Sequence, residues 1–256
     1  MALTISIVSH GHGAEVRNLL ALLAIPDATP VQRVWLTLNL PDPELASWVR
    51  QPWPFDLQLW VNATPMGFGA NHNQAFAREL TMPDPASRFG VLNPDLSWYS
   101  DPLPALLDAL QSPQAGCSYP LQLDTKGRIQ DHRRALPGPI ALLQRHLLRS
   151  KPSPLLKPEW VNAACLVFPS QVFNAVGGFD IRYYMYCEDV DLSLRLQLAG
   201  YALVDVPTAQ VVHDASRASR RDVRHLLWHV SSLLRLWSSP TYRRFRSSRA
   251  TATIRA

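Results

Sequence analysis

Short apolar segments alternate with helical patterns through roughly the first hundred residues, and this alternation constrains the fold more than any other feature. Strands are predicted at residues 3–9, 33–39, 56–61 and 89–92. Helices are predicted at residues 14–24, 43–49 and 70–80, and another begins at Ser100-Asp101-Pro102, where a capping side chain precedes a proline. Strands separated by helices favour a mostly parallel sheet with helices on both faces, so we predict an α/β domain.

Polar residues stand where each of these predicted strands ends. Ser9-His10 follows the first strand, Asn39 the second, Asn62 the third and Asn93-Pro94-Asp95 the fourth. Ligands of parallel sheets bind beyond the carboxyl ends of the strands. Asn-Pro-Asp alone is a common turn, but its position at a strand end favours a role in binding. We therefore predict a ligand site at this edge of the sheet.

Three carboxylates cluster at the start of a predicted amphipathic helix that ends at Gly200. A Gly-Gly-Phe-Asp turn at residues 177–180 and an aromatic run at 183–186 precede them, and such aromatic surfaces stack on sugar rings. An ordinary acidic first turn is the alternative, because the helix dipole stabilises each carboxylate there by about 0.3–1 kcal/mol. The three carboxylates are Glu188, Asp189 and Asp191.

This combination resembles the family 2 glycosyltransferases of the GT-A fold, especially bacterial rhamnosyltransferase-like members. The resemblance extends over roughly residues 3–240, and its most specific part is the order of the Asn-Pro-Asp and Glu-Asp segments. It implies a nucleotide-sugar-binding α/β domain with a mostly parallel central sheet flanked by helices. It also implies that Asp189 is the general base. Glu188, Trp160 and Tyr186 are then expected to bind the acceptor, while Asp191 caps the helix or pairs with Arg195.

A divalent metal is expected at the end of the fourth strand. In the resembled family this position holds a variant of the Asp-x-Asp motif, and its last Asp, here Asp95, binds a metal that bridges the donor's diphosphate. Asn93 replaces the first Asp. His213, after a predicted strand, is the second expected ligand, although a lone histidine there is often an ordinary surface residue. Carboxylate ligands suit Mg²⁺, whereas imidazole suits Mn²⁺ better, so the ion stays open.

The donor nucleotide is expected to contact the first three strand ends and a glycine-containing loop. Gly67-Phe68-Gly69 and the Asn-rich helix start after it match the family, and glycines let a backbone approach a nucleotide. His10 replaces a Thr-Tyr-Asn-like segment and Asn39 replaces an acidic residue of the family, so the base stays open. The expected donor-binding residues are Ser9, His10, Asn39, Gly69, Asn71, Asn73, Asn93 and Arg217.

The middle of the chain is predicted to contain a hairpin and a loop. Residues 123–137 resemble the hairpin of rhamnosyltransferase-like enzymes, and Trp160 begins an apolar strand. The Pro-rich stretch 136–158 is interpreted as a mobile loop and short helix over the site.

The C-terminal residues are strongly basic. Residues 216–256 contain ten arginines and one acid, Asp222, and their apolar residues recur at helical spacing. We predict a glycosyltransferase domain at 1–215 and a basic amphipathic helical extension at 216–256, frayed from about Tyr242. A helix carrying Trp228 and Trp237 can lie on an anionic membrane surface. The alternative is a helix packed on the domain, and no nucleic-acid partner is expected.

The resemblance implies an inverting transfer of a sugar, L-rhamnose from dTDP-L-rhamnose, to a saccharide or lipid-linked saccharide acceptor. Two alternatives stay open, a catalytically silent sugar-binding relative and a nucleotidyltransferase. Cys117, Cys165 and Cys187 are few and far apart, which favours a reducing compartment. We expect a cytoplasmic protein, peripheral on the inner face of the bacterial inner membrane, because no run of about 18 apolar residues is present.

Overall fold

An eight-stranded sheet forms the centre of the computed structural model, which describes residues 2–25, 29, 31–136, 138, 157–213 and 223–254. The strands are β1 Leu3–Ser9, β2 Arg33–Leu38, β3 Asp56–Val61, β4 Arg88–Leu92, β5 Leu96–Ser97, β6 Ala115–Leu123, β7 Arg133–Arg134, β8 Trp160–Val161, β9 Cys165–Pro169 and β10 Ala202–His213. The helices are α1 Gly13–Leu23, α2 Pro43–Trp48, α3 Phe68–Glu79, α4 Leu103–Asp108, α5 Ser170–Ala175, α6 Glu188–Leu198, α7 Val223–Ser238 and α8 Pro240–Ile254.

The strand order is β3-β2-β1-β4-β9-β6-β10-β5, and most neighbours run parallel. The predicted mostly parallel α/β sheet is therefore confirmed. β9 runs antiparallel to both β4 and β6, and β5 runs antiparallel to β10. The inverted β9 has a consequence for function, because its start, rather than its end, lies at the carboxyl edge of the parallel strands.

The four predicted strands and the helices between them occur close to their predicted positions. The aliphatic residues of β1 and β2 are buried, except for the half-buried Val8, because helices cover both faces of the sheet. α3 begins at Phe68, two residues before the predicted start, because Gly67 is extended and precedes the first helical turn. Asp101 accepts a hydrogen bond from the Leu103 backbone N–H (2.9 Å), which confirms the predicted cap before α4.

A buried ion network closes the amino-terminal edge of the sheet. The Arg33 guanidinium donates to both carboxylate oxygens of Glu79, at 2.9 and 3.0 Å, and also pairs with Asp56 and Asp84. The Trp35 indole N–H and the Ala86 backbone N–H donate to the same Glu79 carboxylate, each at 2.8 Å. Every charge of this network therefore has partners, as buried charges require.

The predicted hairpin of the middle section is present. The side chain of Asp124 accepts hydrogen bonds from the backbone N–H groups of Lys126 and Arg128, and Leu123 bridges to Ile129. β7 then pairs antiparallel with β8, which carries Trp160. The predicted loop over the site falls mostly on residues 139–156, which lie outside the described residues.

α7 and α8 pack on the domain through a cluster that joins them to α6. Leu236 of α7 and Tyr242 and Phe245 of α8 are buried there against the segment that starts α6. α8 extends from Pro240 to Ile254, and Tyr242 and Phe245 hold its first turns on the domain. The predicted boundary at 215/216 lies outside the described residues. In the described part of the chain, no helix combines the length and the apolarity that crossing a bilayer requires.

Candidate active site

Asp95 and His213 meet at the carboxyl edge of the sheet. The antiparallel pairing of β5 with β10 sets Leu96 opposite His213, and this brings Asp95 Oδ2 within 3.5 Å of His213 Nε2. The side-chain Nδ2 of Asn93 lies 3.5 Å from the same imidazole nitrogen. The two predicted metal ligands are therefore neighbours, although they are more than a hundred residues apart in sequence.

The chemistry of this pair fits a divalent cation that is shared with a substrate. Within the described residues, no group of three or more His, Cys, Asp or Glu side chains could hold a metal ion. A carboxylate and an imidazole supply only part of a coordination shell, and Mg²⁺-type sites commonly complete theirs with substrate phosphates and water. The Asp95 side chain is one-third exposed, so a substrate can reach it.

An asparagine network holds the loop between β3 and α3. Asn62 Nδ2 donates to Asn39 Oδ1 (2.8 Å) and to Asn71 Oδ1 (2.6 Å). Asn39 also bonds both the backbone N–H and the carbonyl of Met66, while Asn71 donates to the carbonyl of Gly67. Asn71 is fully buried with its carboxamide bonded inside the protein. Its contacts therefore favour a role in positioning this loop over the predicted direct contact with the donor.

The glycines of this loop make room for the chain itself. A Cβ at Gly67 would lie 2.5 Å from the Tyr184 carbonyl oxygen, and one at Gly69 would lie 2.5 Å from the Phe179 Cβ. Phe68 N–H donates to the same Tyr184 carbonyl (2.9 Å). The prediction that Gly69 approaches a nucleotide is thus not supported by these contacts, because the 179–184 segment takes up the space.

Asn73 ties α3 to the turn that precedes the Glu-Asp pair. Its carboxamide accepts from the Phe179 N–H (2.9 Å) and donates to the Phe179 carbonyl (2.7 Å). Because both polar groups of the side chain are used, the structure gives Asn73 a positioning role across 106 residues of sequence. Its predicted contact with the donor has no support in these bonds.

Two strained residues set the start of α6. Tyr186 and Cys187 have φ angles of 70° and 65°, a left-handed conformation that costs a residue with a side chain roughly 1–2 kcal/mol. Glu188 and Asp189 follow immediately as the first helical residues. Strain of this kind persists only where surrounding packing enforces it, and it clusters at functional sites.

Burial raises the pKa of both carboxylic acids. Desolvation is the main cause for Asp189, whose pKa is raised to about 6, while the N–H groups of Val190 and Ala163 and the charge of Arg134 oppose the rise. For Glu188, burial and then the Asp189 charge raise the pKa well above its ordinary value. Glu188 is only 6% exposed, and among the described residues nothing hydrogen-bonds its Oε2.

The two motifs are joined through the start of β9. The backbone N–H of Ala163 is near enough to the Asp189 carboxylate to lower its pKa, and the carbonyl of the adjacent Ala164 accepts from the Asn93 N–H (2.8 Å). The inverted direction of β9 makes this possible, because residues 163–164 lie beside the end of β4. Asp189 and the Asn-Pro-Asp turn therefore belong to one site.

Known proteins with similar sequences identify the family. The chain is 31% identical over 248 residues to N-acetylglucosaminyl-diphospho-decaprenol L-rhamnosyltransferase of Mycobacterium tuberculosis, and the match covers 88% of this chain and 80% of that protein. The chain belongs to the rhamnosyltransferase-like glycosyltransferases. Rhamnosyltransferase WbbL of Escherichia coli K12 is 28% identical over 245 residues, covering 90% of each chain. No family model matches the chain.

Solved structures identify the fold of this glycosyltransferase as GT-A. The mannosyltransferase PcManGT from Pyrobaculum calidifontis, solved with GDP-Man and Mn²⁺, superposes with a TM-score of 0.61. That match covers 98% of this chain and 75% of PcManGT at 15% identity. At such identity the likeness concerns the fold alone, and it agrees with the predicted GT-A-like architecture.

Residues of α7 and β7 contact two of the predicted acceptor residues, and the sequence analysis did not single them out. The Tyr186 hydroxyl lies 2.9 Å from His225 Nδ1, and its ring centroid lies 5.0 Å from that of His229. The Arg134 guanidinium lies 5.2 Å from the centre of the Trp160 ring. The available signal was the i, i+4 spacing of the two histidines, which puts both on one face of a helix. Arg134, which lies beside the Trp160 ring, also acts through its charge on Asp189, so Trp160 lies near the Glu-Asp pair and its predicted acceptor role stays a prediction.

The remaining predicted donor residues lie at the ends of β1 and β2. Ser9 is buried, and its Oγ accepts from the His12 N–H (3.1 Å), so it shapes the following turn. His10 lies beside Asn39 and is largely exposed. Partial burial of its ring lowers its pKa, and the charges of His12, Arg224 and His225 lower it further. A neutral His10 at neutral pH remains able to contact a donor. Arg217 lies outside the described residues.

The second half of α6 follows its predicted pattern. Asp191 accepts from the Arg195 guanidinium (2.6 Å), which confirms the predicted ion pair. Gly200 has a φ of 88° and ends the helix, with the Tyr201 N–H donating back to the Leu196 carbonyl (3.0 Å). Asp191 is therefore committed to structure, which leaves Glu188 and Asp189 as the carboxylic acids of this helix with roles in the reaction to assign.

Proposed function

We propose that this glycosyltransferase moves L-rhamnose, with inversion, from dTDP-L-rhamnose to a saccharide or lipid-linked saccharide during bacterial cell-surface polysaccharide synthesis. The observation that carries the proposal is the proximity of the two motifs: Ala163 acts on the pKa of Asp189, and the adjacent Ala164 carbonyl accepts from the Asn93 N–H of the Asn-Pro-Asp turn. The choice of sugar and acceptor is supported by the names of the relatives, a rhamnosyltransferase acting on a decaprenol-linked N-acetylglucosamine and WbbL.

Asp189 is proposed to act as the general base. As the acceptor oxygen attacks the anomeric carbon, its proton passes to the Asp189 carboxylate. The bond between that carbon and the diphosphate oxygen breaks on the opposite face, and the nucleoside diphosphate leaves with the electron pair. A pKa of about 6 makes Asp189 a stronger base than an ordinary aspartate while leaving it mostly ionised at pH 7.

Glu188 is proposed to bind the acceptor. Its raised pKa keeps a proton on the carboxyl group to a higher pH than usual, so it can donate a hydrogen bond as well as accept one. Its Oε2 has no partner among the described residues, and an acceptor hydroxyl would supply one. Trp160 and Tyr186 offer aromatic surface for the acceptor's sugar rings.

Asp95 and His213 are proposed to hold a divalent cation, Mg²⁺ or Mn²⁺. Such a cation, when bound, neutralises charge on the departing diphosphate. The exposed Asp95 carboxylate and the neighbouring imidazole are a suitable oxygen and nitrogen pair for this purpose. The Asn93 Nδ2 lies 3.5 Å from His213 Nε2, so a cation bound by this nitrogen would replace that contact.

Product analysis tests the proposed reaction. The protein is incubated with a panel of nucleotide-sugars and with saccharide or polyprenyl-diphosphate-saccharide acceptors, in Mg²⁺, Mn²⁺ or EDTA. We expect dTDP and a rhamnosylated acceptor with inverted anomeric configuration, formed about 10²–10⁴-fold more slowly by the Asp189→Asn variant. Release of pyrophosphate would indicate a nucleotidyltransferase. Sugar binding without either product, across the whole panel, would indicate a catalytically silent relative.

A further inference from the structure

One face of α7 is committed to the domain. Leu236 and Ser232 are buried, and the Ser232 hydroxyl donates to the Met185 carbonyl (2.8 Å). The Trp228 ring lies 4.8 Å from that of Tyr184. Trp237, at the C-terminal end of α7, lies on the other side of the helix by its spacing, but it also packs on the cluster around Leu236. Both tryptophans that the sequence suggested as membrane anchors therefore contact the protein instead. This face supports the segment that leads into Glu188 and Asp189.

The opposite face of α7 is apolar and exposed. Of the thirteen exposed large apolar residues in the described part of the chain, five lie on this single helix. At 3.6 residues per turn they occupy an arc of about 100°. Scattered exposed leucines need no explanation, whereas a contiguous apolar stripe marks an interaction surface. The stripe consists of Val223 (73% exposed), Leu226 (50%), Leu227 (64%), Val230 (47%) and Leu234 (59%).

The two C-terminal helices carry basic residues and no acidic ones. Residues 223–254 contain no Asp or Glu. Arg224 and Arg235, both exposed, flank the stripe on α7, and α8 adds further exposed arginines. Like charges would oppose the pairing of two copies through this face, whereas an anionic lipid surface complements both the apolar stripe and its basic flank. The exposed arginines of α8 are Arg243, Arg244, Arg246 and Arg249, and the last of these pairs with Glu159.

We propose that the α7 stripe docks on an anionic lipid bilayer, with its aliphatic side chains in the headgroup region and its arginines on acidic headgroups. This deepens the proposed function and rests on it in one respect only: a lipid-linked acceptor would be presented at the same surface. Because Tyr186 and Met185 contact the other face of α7, docking would hold the Glu-Asp pair at the bilayer.

Vesicle flotation of the full chain, without donor or acceptor, tests the proposal separately from catalysis. The vesicles are phosphatidylcholine alone or phosphatidylcholine with phosphatidylglycerol. We expect binding to the anionic vesicles that weakens as salt rises, because surface charges are screened over about 8 Å at physiological ionic strength. The double variant Leu227→Glu/Leu234→Glu should bind at least about tenfold more weakly, since two apolar contacts are lost.

A matched control replaces an exposed aliphatic residue at the opposite edge of the sheet. Ile25, 50% exposed after the end of α1, becomes Ile25→Glu, and this variant should bind like the wild type. Equal binding by the wild type and the double variant, or no binding to anionic vesicles, would overturn the proposal. So would a dimer seen by light scattering that the double variant abolishes, since a second copy would then be the occupant. Failure of the transfer assay alone would leave the docking result intact.

Discussion

Glu79 and Glu188 are both buried glutamates, but they lie at opposite edges of the same sheet and in opposite circumstances. Glu79, 1% exposed, accepts hydrogen bonds from Arg33, Trp35 and Ala86 at the amino edge. Glu188, 6% exposed at the carboxyl edge, has an oxygen that no described residue bonds. Since buried polar groups in folded proteins are almost always paired, a buried carboxyl oxygen without a partner is a suitable site for a ligand hydroxyl.

The backbone shows the same contrast. The amino edge contains no left-handed residue other than glycine among those described, whereas Tyr186 and Cys187 adopt that conformation directly before Glu188. The preference of residues with a side chain for negative φ angles is violated directly before the Glu-Asp pair, and it is obeyed at the amino edge. Sites that violate such rules are the expected places of function. The predictions below separate the two edges by their effects on turnover and on stability.

The largest effect is expected at the carboxyl edge. Asp189→Asn preserves size but cannot accept the acceptor's proton, so turnover should fall by about 10²–10⁴-fold. Donor affinity and unfolding temperature should change little. Steady-state kinetics and calorimetry on the same preparation measure all three. Near-normal turnover in a confirmed transfer assay would place the base elsewhere.

The second effect is on stability and belongs to the amino edge. Glu79→Gln leaves the Arg33 guanidinium with a weakened buried partner, so the free energy of unfolding should drop by about 3 kcal/mol. Urea denaturation measures the loss. Glu44→Gln, which removes an exposed partner of Arg17, is the matched control and should have almost no effect. Activity per folded molecule should stay normal in both variants. A fall in kcat for Glu79→Gln alone would contradict the assignment of Glu79 to stability and not to catalysis.

A third effect concerns donor binding. Asp95→Ala removes a charged ligand, so nucleotide-sugar affinity in the presence of Mg²⁺ or Mn²⁺ should fall by about 10–100-fold. His213→Ala should weaken it less, because a neutral imidazole contributes less electrostatic stabilisation. Asp84→Ala removes an exposed carboxylate of the amino edge and is the control. Unchanged affinity for Asp95→Ala by titration calorimetry would contradict the assignment.

The smallest effect is on the stability contributed by Glu188. Its folded-state pKa is raised, so the folded protein loses stability relative to the unfolded chain as pH rises above the ordinary value of 4.5. Glu188→Gln should remove this pH dependence and leave stability at pH 7 equal or higher, within about 1 kcal/mol. Denaturation curves between pH 5 and 8 measure it. The acceptor KM should rise, with a smaller change in kcat. If Glu188→Gln were instead less stable than the wild type by an amount that grows with pH, the ionised Glu188 would have a stabilising partner, which would contradict this assignment.

Local patterns predicted the parts of the molecule that local chemistry determines. The strands, the start and stop of α6 and the Asp191–Arg195 pair follow from hydrophobic period, capping and i, i+4 spacing. The hydrogen bonds of Asn73 could not be predicted from the sequence, because its partner Phe179 is 106 residues away. The reason for Gly67 and Gly69 was likewise hidden, since a glycine that admits a nucleotide and one that admits Tyr184 or Phe179 look identical in sequence.

The position of the C-terminal helices also required the structure. Their amphipathic period indicated an apolar face, but α7 has apolar residues on two sides, and only the packing shows that Leu236 is buried while Leu227 is exposed. Tyr242 and Phe245 end in a shared cluster with Tyr183 and Cys187, a contact that no local signal predicts.

The pH dependence of kcat/KM tests the central claim most directly, because the claim is that burial at the carboxyl edge tunes Asp189 as a base. Nucleoside diphosphate release would be followed from pH 4.5 to 8 with donor and acceptor held fixed. With the pKa of Asp189 raised to about 6, the rate should fall toward tenfold per unit as pH drops below that value, and Asp189→Asn should lack this limb. A rate that stays flat down to pH 5, or a limb near 6 that persists in Asp189→Asn, would contradict the account.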